Sequence, residues 1–163
     1  MRETGDIEKT LTDYGPHVWR ACALYFSCEA DAEDAYQETF LRYALSDTVS
    51  FNDGEHKKAW LLRVATNICK DVLKSQTRTA IPLESELSEH LPDEADTLTQ
   101  PESFSSEVVS AMRAIDDPPR TPLYLSLCEG YSAPEIARMV EAPVNTVYSW
   151  ISRGKALLKE ALR

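Results

Sequence analysis

Glycine is scarce in this chain, with five among 163 residues, and the five follow no period. That excludes collagen-like repeats and glycine-rich linker sequence. Apolar runs extend over only a few residues. A membrane-spanning helix needs roughly 18–20, so no membrane insertion is expected. Residues 1–10 are polar and acidic and lack the apolar segment of a secretory signal, which predicts a cytoplasmic protein. The four cysteines (Cys22, Cys28, Cys69, Cys128) show no CxxC spacing. In a reducing compartment they read as small buried or half-buried thiols rather than disulfide or zinc partners. His17, His56 and His90 are scattered, and there is no nucleophile motif, glycine-rich phosphate loop or paired metal-ligand spacing. Neither an enzyme nor a cofactor or metal site is expected.

Positive charge is also in short supply. Lys and Arg number 17 against 27 Asp and Glu, a net −10. Residues 1–78 hold ten basic and thirteen acidic residues, a net −3; residues 79–105 hold seven acids and no base; residues 106–163 hold seven of each. This balance argues against a protein that coats nucleic acid without specificity. It leaves room for a reader with small local basic faces. One such face is Arg153, Lys155, Lys159 and Arg163, opposed only by Glu160. Hydrophobic residues make up 43% of the chain and charged residues 27%, which is ordinary for a globular fold.

Apolar spacing of three and four recurs throughout, and strand-like alternation is absent. The expected fold is all-α, with two small helical domains joined by an acidic linker: 1–78, 79–105 and 106–163. Ile7, Leu11, Tyr14, Val18, Cys22 and Tyr25 predict one helix or two, broken near Gly15-Pro16. Asp31 is a candidate N-cap for the next helix, with Asp34 at the capping-box position. A polar loop over 46–55 carries Phe51. A third helix over 56–75 has the stripe Trp60, Leu61, Val64, Ile68, Val72. Its other side carries Lys57, Lys58, Arg63, Asn67, Lys70 and Lys74. The segment 79–105 holds three prolines and reads as a linker, extended or locally ordered.

The second domain holds a helix-turn-helix pattern. Ser132 caps a helix with Pro134 in its first turn, Glu141-Ala-Pro-Val144 turns the chain, and Asn145 caps a last helix over 146–162. Ala137 is small where the two helices approach, and Val147 and Ile151 face inward. Ser132, Asn145, Thr146, Tyr148, Ser149 and Trp150 then lie at the exposed end that groove readers present to bases. Arg153 and Lys155 are placed to hold phosphates. Taken alone, the pattern also fits a plain helical hairpin, and the polar faces of the first domain also fit solvated helix surface.

Three motifs in order resemble the bacterial sigma factors of the sigma-70 superfamily. Asp31-Ala-Glu-Asp-Ala-Tyr-Gln-Glu-Thr-Phe-Leu-Arg42 resembles their core-polymerase-binding helix. Ala59-Trp-Leu-Leu-Arg-Val-Ala-Thr-Asn-Ile-Cys-Lys-Asp71 resembles the helix that melts and reads the minus-ten element. Glu129 to Arg138 together with Asn145 to Arg153 resemble the helix-turn-helix that binds the minus-35 element. Length and a two-domain layout are similar to the extracytoplasmic-function (ECF) group. The resemblance implies core RNA polymerase, promoter DNA and an anti-sigma factor as partners. It implies polymerase contact through Asp34, Gln37, Glu38, Leu41 and Arg42. Minus-ten contact falls to Phe51, Lys57, Lys58, Trp60, Arg63, Asn67, Lys70 and Lys74, and minus-35 contact to the residues from Ser132 to Lys155 named above. Tyr148 and Trp150 stand where the family usually has cations. A stand-alone helix-turn-helix repressor and a polymerase-binding modulator are the alternative readings.

Overall fold

The computed structural model describes residues 1–79 and 106–162. All of the expected acidic tether beyond Thr79, and the terminal Arg163 of the basic face, lie outside the described residues. Among the described residues there are seven helices and no strand. They are α1 (Thr4–Ala23), α2 (Glu29–Leu45), α3 (Gly54–Thr79), α4 (Ser106–Ala114), α5 (Arg120–Leu127), α6 (Ala133–Val140) and α7 (Val144–Ala161). The chain divides into two compact units, Met1–Pro101 and Glu102–Arg163.

In the first unit α1, α2 and α3 each pack on the other two. Their shared core includes Val18, Cys22, Phe26, Ala32, Ala35, Phe40, Tyr43, Leu61, Ala65, Ile68 and Cys69. The expected break at Gly15-Pro16 does not occur: α1 runs through Pro16, which is exposed. A proline inside a helix loses one hydrogen bond and costs about 3 kcal/mol. Val18, Ala21 and Cys22 just beyond it are fully buried, and their burial offsets that loss. Gly15 serves a different purpose. A Cβ there would lie 2.9 Å from the Tyr36 hydroxyl, so the glycine lets α1 approach α2 closely.

Helix α2 begins two residues before the expected cap. Cys28 takes the N-cap position with extended backbone and makes no side-chain cap bond. Asp31 falls in the first turn, where a negative charge favours the helix N-terminus. Helix α3 extends beyond the expected span at both ends. Its stripe is rotated by about one residue: Leu61, Leu62, Ala65, Ile68 and Cys69 are buried, whereas Trp60, Val64 and Val72 are half-buried. All four thiols are free, with Cys22 and Cys69 buried and Cys28 and Cys128 half-buried.

In the second unit α7 packs on α4, α5 and α6 around Val109, Met112, Leu123, Tyr124, Ile136 and Val147. Ser132 caps α6 as expected. Its hydroxyl accepts from the Glu135 amide at 3.3 Å, and its own amide donates to Glu135 Oε1 at 2.9 Å. Asn145 is not the cap of α7. Pro143 holds that position, and Val144 opens the helix. Ala137 is half-buried in α6, and a separate close approach, of α7 to α5, lies at Gly154. A Cβ on Gly154 would meet Leu123 Cβ at 3.1 Å.

Candidate functional site

The outer face of α2 carries Asp34, Gln37, Leu41 and Arg42 in the open and Glu38 half-buried. Leu41 is 53% exposed, and Leu45 one turn further on is 61% exposed. Sequence reading had placed Leu41 on this face and missed Leu45, although the spacing of four would have reached it. Arg42 Nε donates to Glu38 Oε2 at 3.0 Å, and Gln37 Nε2 donates to Glu33 Oε1 at 3.3 Å. The result is an apolar pair inside a rim of charge.

The loop over 46–53 and the N-terminal half of α3 form a second surface. Phe51 is half-buried rather than free. Its ring stacks on Tyr43 at 6.1 Å between centroids and meets Trp60 edge-on at 5.7 Å and His56 at 5.3 Å. Trp60 also lies edge-on to Tyr43 at 6.1 Å. Arg63, Asn67, Lys70 and Lys74 recur at helical spacing on the side of α3 turned from the core: Asn67 and Lys74 are exposed, Arg63 and Lys70 half-buried. Lys58 is half-buried near the start of the helix.

The structure does not bring Lys57 together with these residues. Its ammonium turns inward, 3.5 Å from Asp6 Oδ1 and 3.3 Å from Thr10 Oγ1, to which it donates. The Thr10 hydroxyl donates to Tyr43 Oη at 3.1 Å, and the Tyr43 hydroxyl lies 3.0 Å from Asp6 Oδ2, to which it donates. These four side chains form a closed polar circuit across α1, α2 and α3. Burial works against the charge on Asp6, but the Tyr43 hydroxyl and the Lys57 and Arg2 charges outweigh it, leaving the carboxyl below its ordinary value. Burial likewise opposes the Lys57 charge, and Tyr43 and Asp6 overcome it, leaving the amine above its ordinary value.

The third surface is the start of α7. Asn145, Tyr148, Ser149, Arg153 and Lys155 are exposed, with Tyr148 at 58%. Thr146 and Trp150 are half-buried, and Val147 and Ile151 face the core as expected. At 100° per residue, Tyr148 and Lys155 share one flank of the helix, while Thr146, Trp150 and Arg153 share the other. Between α6 and α7, Glu141 takes the left-handed conformation (φ 56°), and its own amide bonds to the Ala137 carbonyl. The Ser132 hydroxyl is occupied in its capping box. Glu135 sits below its ordinary value because the Ser132 amide and hydroxyl bond its carboxylate.

These surfaces lie on a fold with known relatives. Residues 10–79 match the family described as Sigma-70 region 2, and residues 105–158 match Sigma-70, region 4. That pairing defines the class: a transcription initiation factor of the sigma-70 type. Over 146 residues the chain is 31% identical to the ECF RNA polymerase sigma-E factor of Haemophilus influenzae, covering 82% of this chain and 75% of that protein. It is 26% identical over 164 residues to the ECF RNA polymerase sigma factor SigW of Bacillus subtilis, covering 92% of this chain and 85% of SigW. The fold matches the sigma factor RpoE of Bartonella quintana, solved in complex with the anti-sigma factor NepR. The TM-score is 0.68 at 21% identity, over 96% of each chain. The chain belongs to the ECF RNA polymerase sigma factor family. No helix among the described residues is long and apolar enough to cross a membrane.

Proposed function

We propose that this ECF sigma factor binds core RNA polymerase through Asp34, Gln37, Glu38, Leu41, Arg42 and Leu45. It opens and reads the minus-ten element with the 46–53 loop and the face of Trp60, Arg63, Asn67, Lys70 and Lys74, and docks on the minus-35 element through Asn145, Tyr148, Ser149, Arg153 and Lys155. Residues 1–78 act at the polymerase and the minus-ten element, 106–163 at the minus-35 element, and 79–105 tether them. Bond making stays with the polymerase, and the factor works in the cytoplasm under an anti-sigma factor.

The observation that carries this reading is the exposed Leu41–Leu45 pair ringed by Asp34, Glu38 and Arg42. A repressor that needs no polymerase has no use for it. The chain's net charge of −10 supports the same view, since affinity for duplex DNA scales with the phosphates a protein neutralises. The free chain is expected to bind duplex promoter negligibly at physiological salt and to bind it once core enzyme is added. Reversing charge at Asp34 and Glu38 to Lys abolishes co-purification with core and run-off transcription, while stability falls by no more than about 1 kcal/mol, since Asp34 is exposed and Glu38 loses only a surface pair with Arg42. Tight operator binding by the chain alone, or wild-type core binding by the double variant, overturns the reading.

A further inference from the structure

Ahead of α1, the Arg2 side chain is tied to the 46–53 loop by hydrogen bonds and by ring contact. The Arg2 guanidinium donates from Nε to the Tyr43 carbonyl at 3.1 Å, and from Nη2 to the carbonyls of Ser46 at 2.9 Å and Val49 at 2.7 Å. The Arg2 amide bonds to the Ala44 carbonyl at 2.8 Å. Those acceptors are the last carbonyls of α2 and the first half of the loop. The Tyr43 carbonyl also accepts from the Ser46 amide and hydroxyl, and a cation at this end of the helix suits its dipole. The second half of the loop is reached through rings. The guanidinium carbon lies 4.5 Å from the Tyr43 centroid and 5.2 Å from that of Phe51. Asp6 Oδ2, 3.6 Å from Nη1, joins Arg2 to the circuit that includes Lys57 of α3. The Arg2 side chain is only 13% exposed.

We propose that Arg2 is a positioning residue for promoter opening: it clamps the 46–53 loop and so sets the pose of Phe51 for the minus-ten element. The inference rests on the reading of that loop as the minus-ten reader. The planar guanidinium does what a lysine cannot. Its nitrogens diverge toward separate carbonyls while its face lies against two rings, whereas an ammonium is a single point charge. Besides Arg2, the loop is held by short-range bonds, Ser46 N and Oγ to the Tyr43 carbonyl, Val49 N to the Ser46 carbonyl, Asn52 N to His56 Nδ1, His56 N to Asp53 Oδ1 and Lys57 N to the Asp53 carbonyl, and by the exposed pair of the Met1 ammonium with Asp47. Without the clamp, the loop explores several poses, and a base captured by Phe51 must first order it. That ordering cost falls on promoter opening and not on polymerase binding, which uses the outer face of α2.

The test compares Arg2→Ala, Arg2→Lys and Phe51→Ala in the full chain. Hydrogen exchange of the free protein reads the clamp. Selection on promoters randomised at the minus-ten element, with core enzyme, reads base preference. Arg2→Ala is expected to speed exchange at least tenfold across 46–53, to leave core binding unchanged, and to relax minus-ten preference as Phe51→Ala does. Arg2→Lys, which retains the charge but not the fork, lies between wild type and Arg2→Ala in both measurements. Unchanged exchange over 46–53 in Arg2→Ala overturns the clamp whatever the DNA data show. Relaxed preference in Phe51→Ala with wild-type preference in Arg2→Ala overturns the positioning role and leaves the loop's reading standing. Unchanged preference in Phe51→Ala overturns the reading on which the inference rests. If Arg2→Ala fails to fold, Arg2→Lys carries the test, and wild-type exchange and preference in it overturn the proposal.

Discussion

Two turns present the residues proposed to face DNA, and they are held by opposite means. The 46–53 loop is braced from far along the chain: Arg2 reaches its carbonyls, and the Asp6–Lys57 pair and Tyr43 anchor what flanks it. The turn between α6 and α7 is held by its neighbours. Glu141 turns the chain in the left-handed conformation, its amide and that of Ala142 both bond to the Ala137 carbonyl, the latter at 3.0 Å, and Ser132 and Glu135 cap the far end of α6. A turn built from nearby residues keeps its shape whenever its helices form. A turn braced at long range keeps its shape only while the tertiary fold is intact, and a single remote side chain can loosen it. The difference suits two tasks. Reading duplex DNA needs a preformed surface, and capturing a base from a melting strand needs a loop poised by the fold around it.

The largest expected contrast comes from truncating one aromatic in each turn region. Phe51 is half-buried among Tyr43, Trp60 and His56. Phe51→Ala should cost the first unit about 2 kcal/mol, roughly half the penalty for a fully buried phenylalanine, and relax minus-ten preference as well. Tyr148 is 58% exposed. Tyr148→Ala should change minus-35 preference with a stability cost inside about 0.5 kcal/mol. Denaturant melts and promoter selections on the same two variants read both quantities. A Tyr148→Ala variant that loses as much stability as Phe51→Ala breaks the distinction between a preformed and a braced surface.

A somewhat smaller effect is expected where α7 crosses α5. Glycine inside a helix costs about 1 kcal/mol relative to alanine, so its presence at 154 needs a packing reason. The reason is Leu123, whose Cβ, Cδ2 and Cδ1 would lie 3.1, 3.2 and 3.4 Å from an added Cβ. Leu123 is fully buried and has little room to move. Gly154→Val should destabilise the second unit by about 1–2 kcal/mol through overpacking. Hydrogen exchange should quicken in α5 and α7 and stay unchanged over 46–53. Equal quickening over 46–53 would show that the two turns do not depend on separate frameworks.

The same contrast explains which features were readable in advance. The cap at Ser132, the turn after Val140 and the inward positions Val147 and Ile151 are set by residues a few places apart, and spacing revealed them. The errors fall where distant residues decide. Pro16 ordinarily ends a helix, yet α1 continues because Val18 and Cys22 are buried against α2 and α3. The stripe of α3 was misjudged by about one residue, because two neighbouring helices, not one, define its buried side. Asp31 has the right chemistry for a cap, but the chain enters α2 from Cys28. Lys57 read as one more cation on a basic face. Its partners Asp6 and Thr10 lie some fifty residues earlier, and no local pattern announces them. Arg2 left no signal at all, since a single arginine ahead of a helix looks like solvent-exposed charge. Leu45 differs from these: its spacing from Leu41 was legible and was passed over.

The smallest expected effect concerns one carboxylate in each unit, Asp6 of the circuit beside the 46–53 loop and Glu135 of the α6 cap. Asp6 and Glu135 both titrate below their ordinary range, but for different reasons. Glu135 is held by hydrogen bonds from the Ser132 amide and hydroxyl, with the Arg138 charge a minor contribution. Asp6 works against burial, aided by the Tyr43 hydroxyl and by two cations, Lys57 at 3.5 Å and Arg2 at 3.6 Å. A carboxyl whose value is depressed by folding stabilises the fold above its unfolded value, and that contribution is lost as pH falls through the folded one. Acidification below about pH 4 should therefore weaken both the Asp6 circuit and the α6 cap. Salt separates them. Raising it from about 0.05 M to about 1 M shrinks the screening length to about 3 Å, which weakens ion pairs and leaves short hydrogen bonds nearly intact. Carboxyl carbon resonances followed through an acid titration of the full chain should show Asp6 moving partway back toward its ordinary value in high salt. Glu135 should barely move. Lys57→Met should reproduce the Asp6 movement at low salt, because it removes the nearer cation while keeping the stem. If Glu135 proves the more salt-sensitive of the two, the α6 cap is held by charge after all, and the contrast between locally and remotely held structure fails at its electrostatic level.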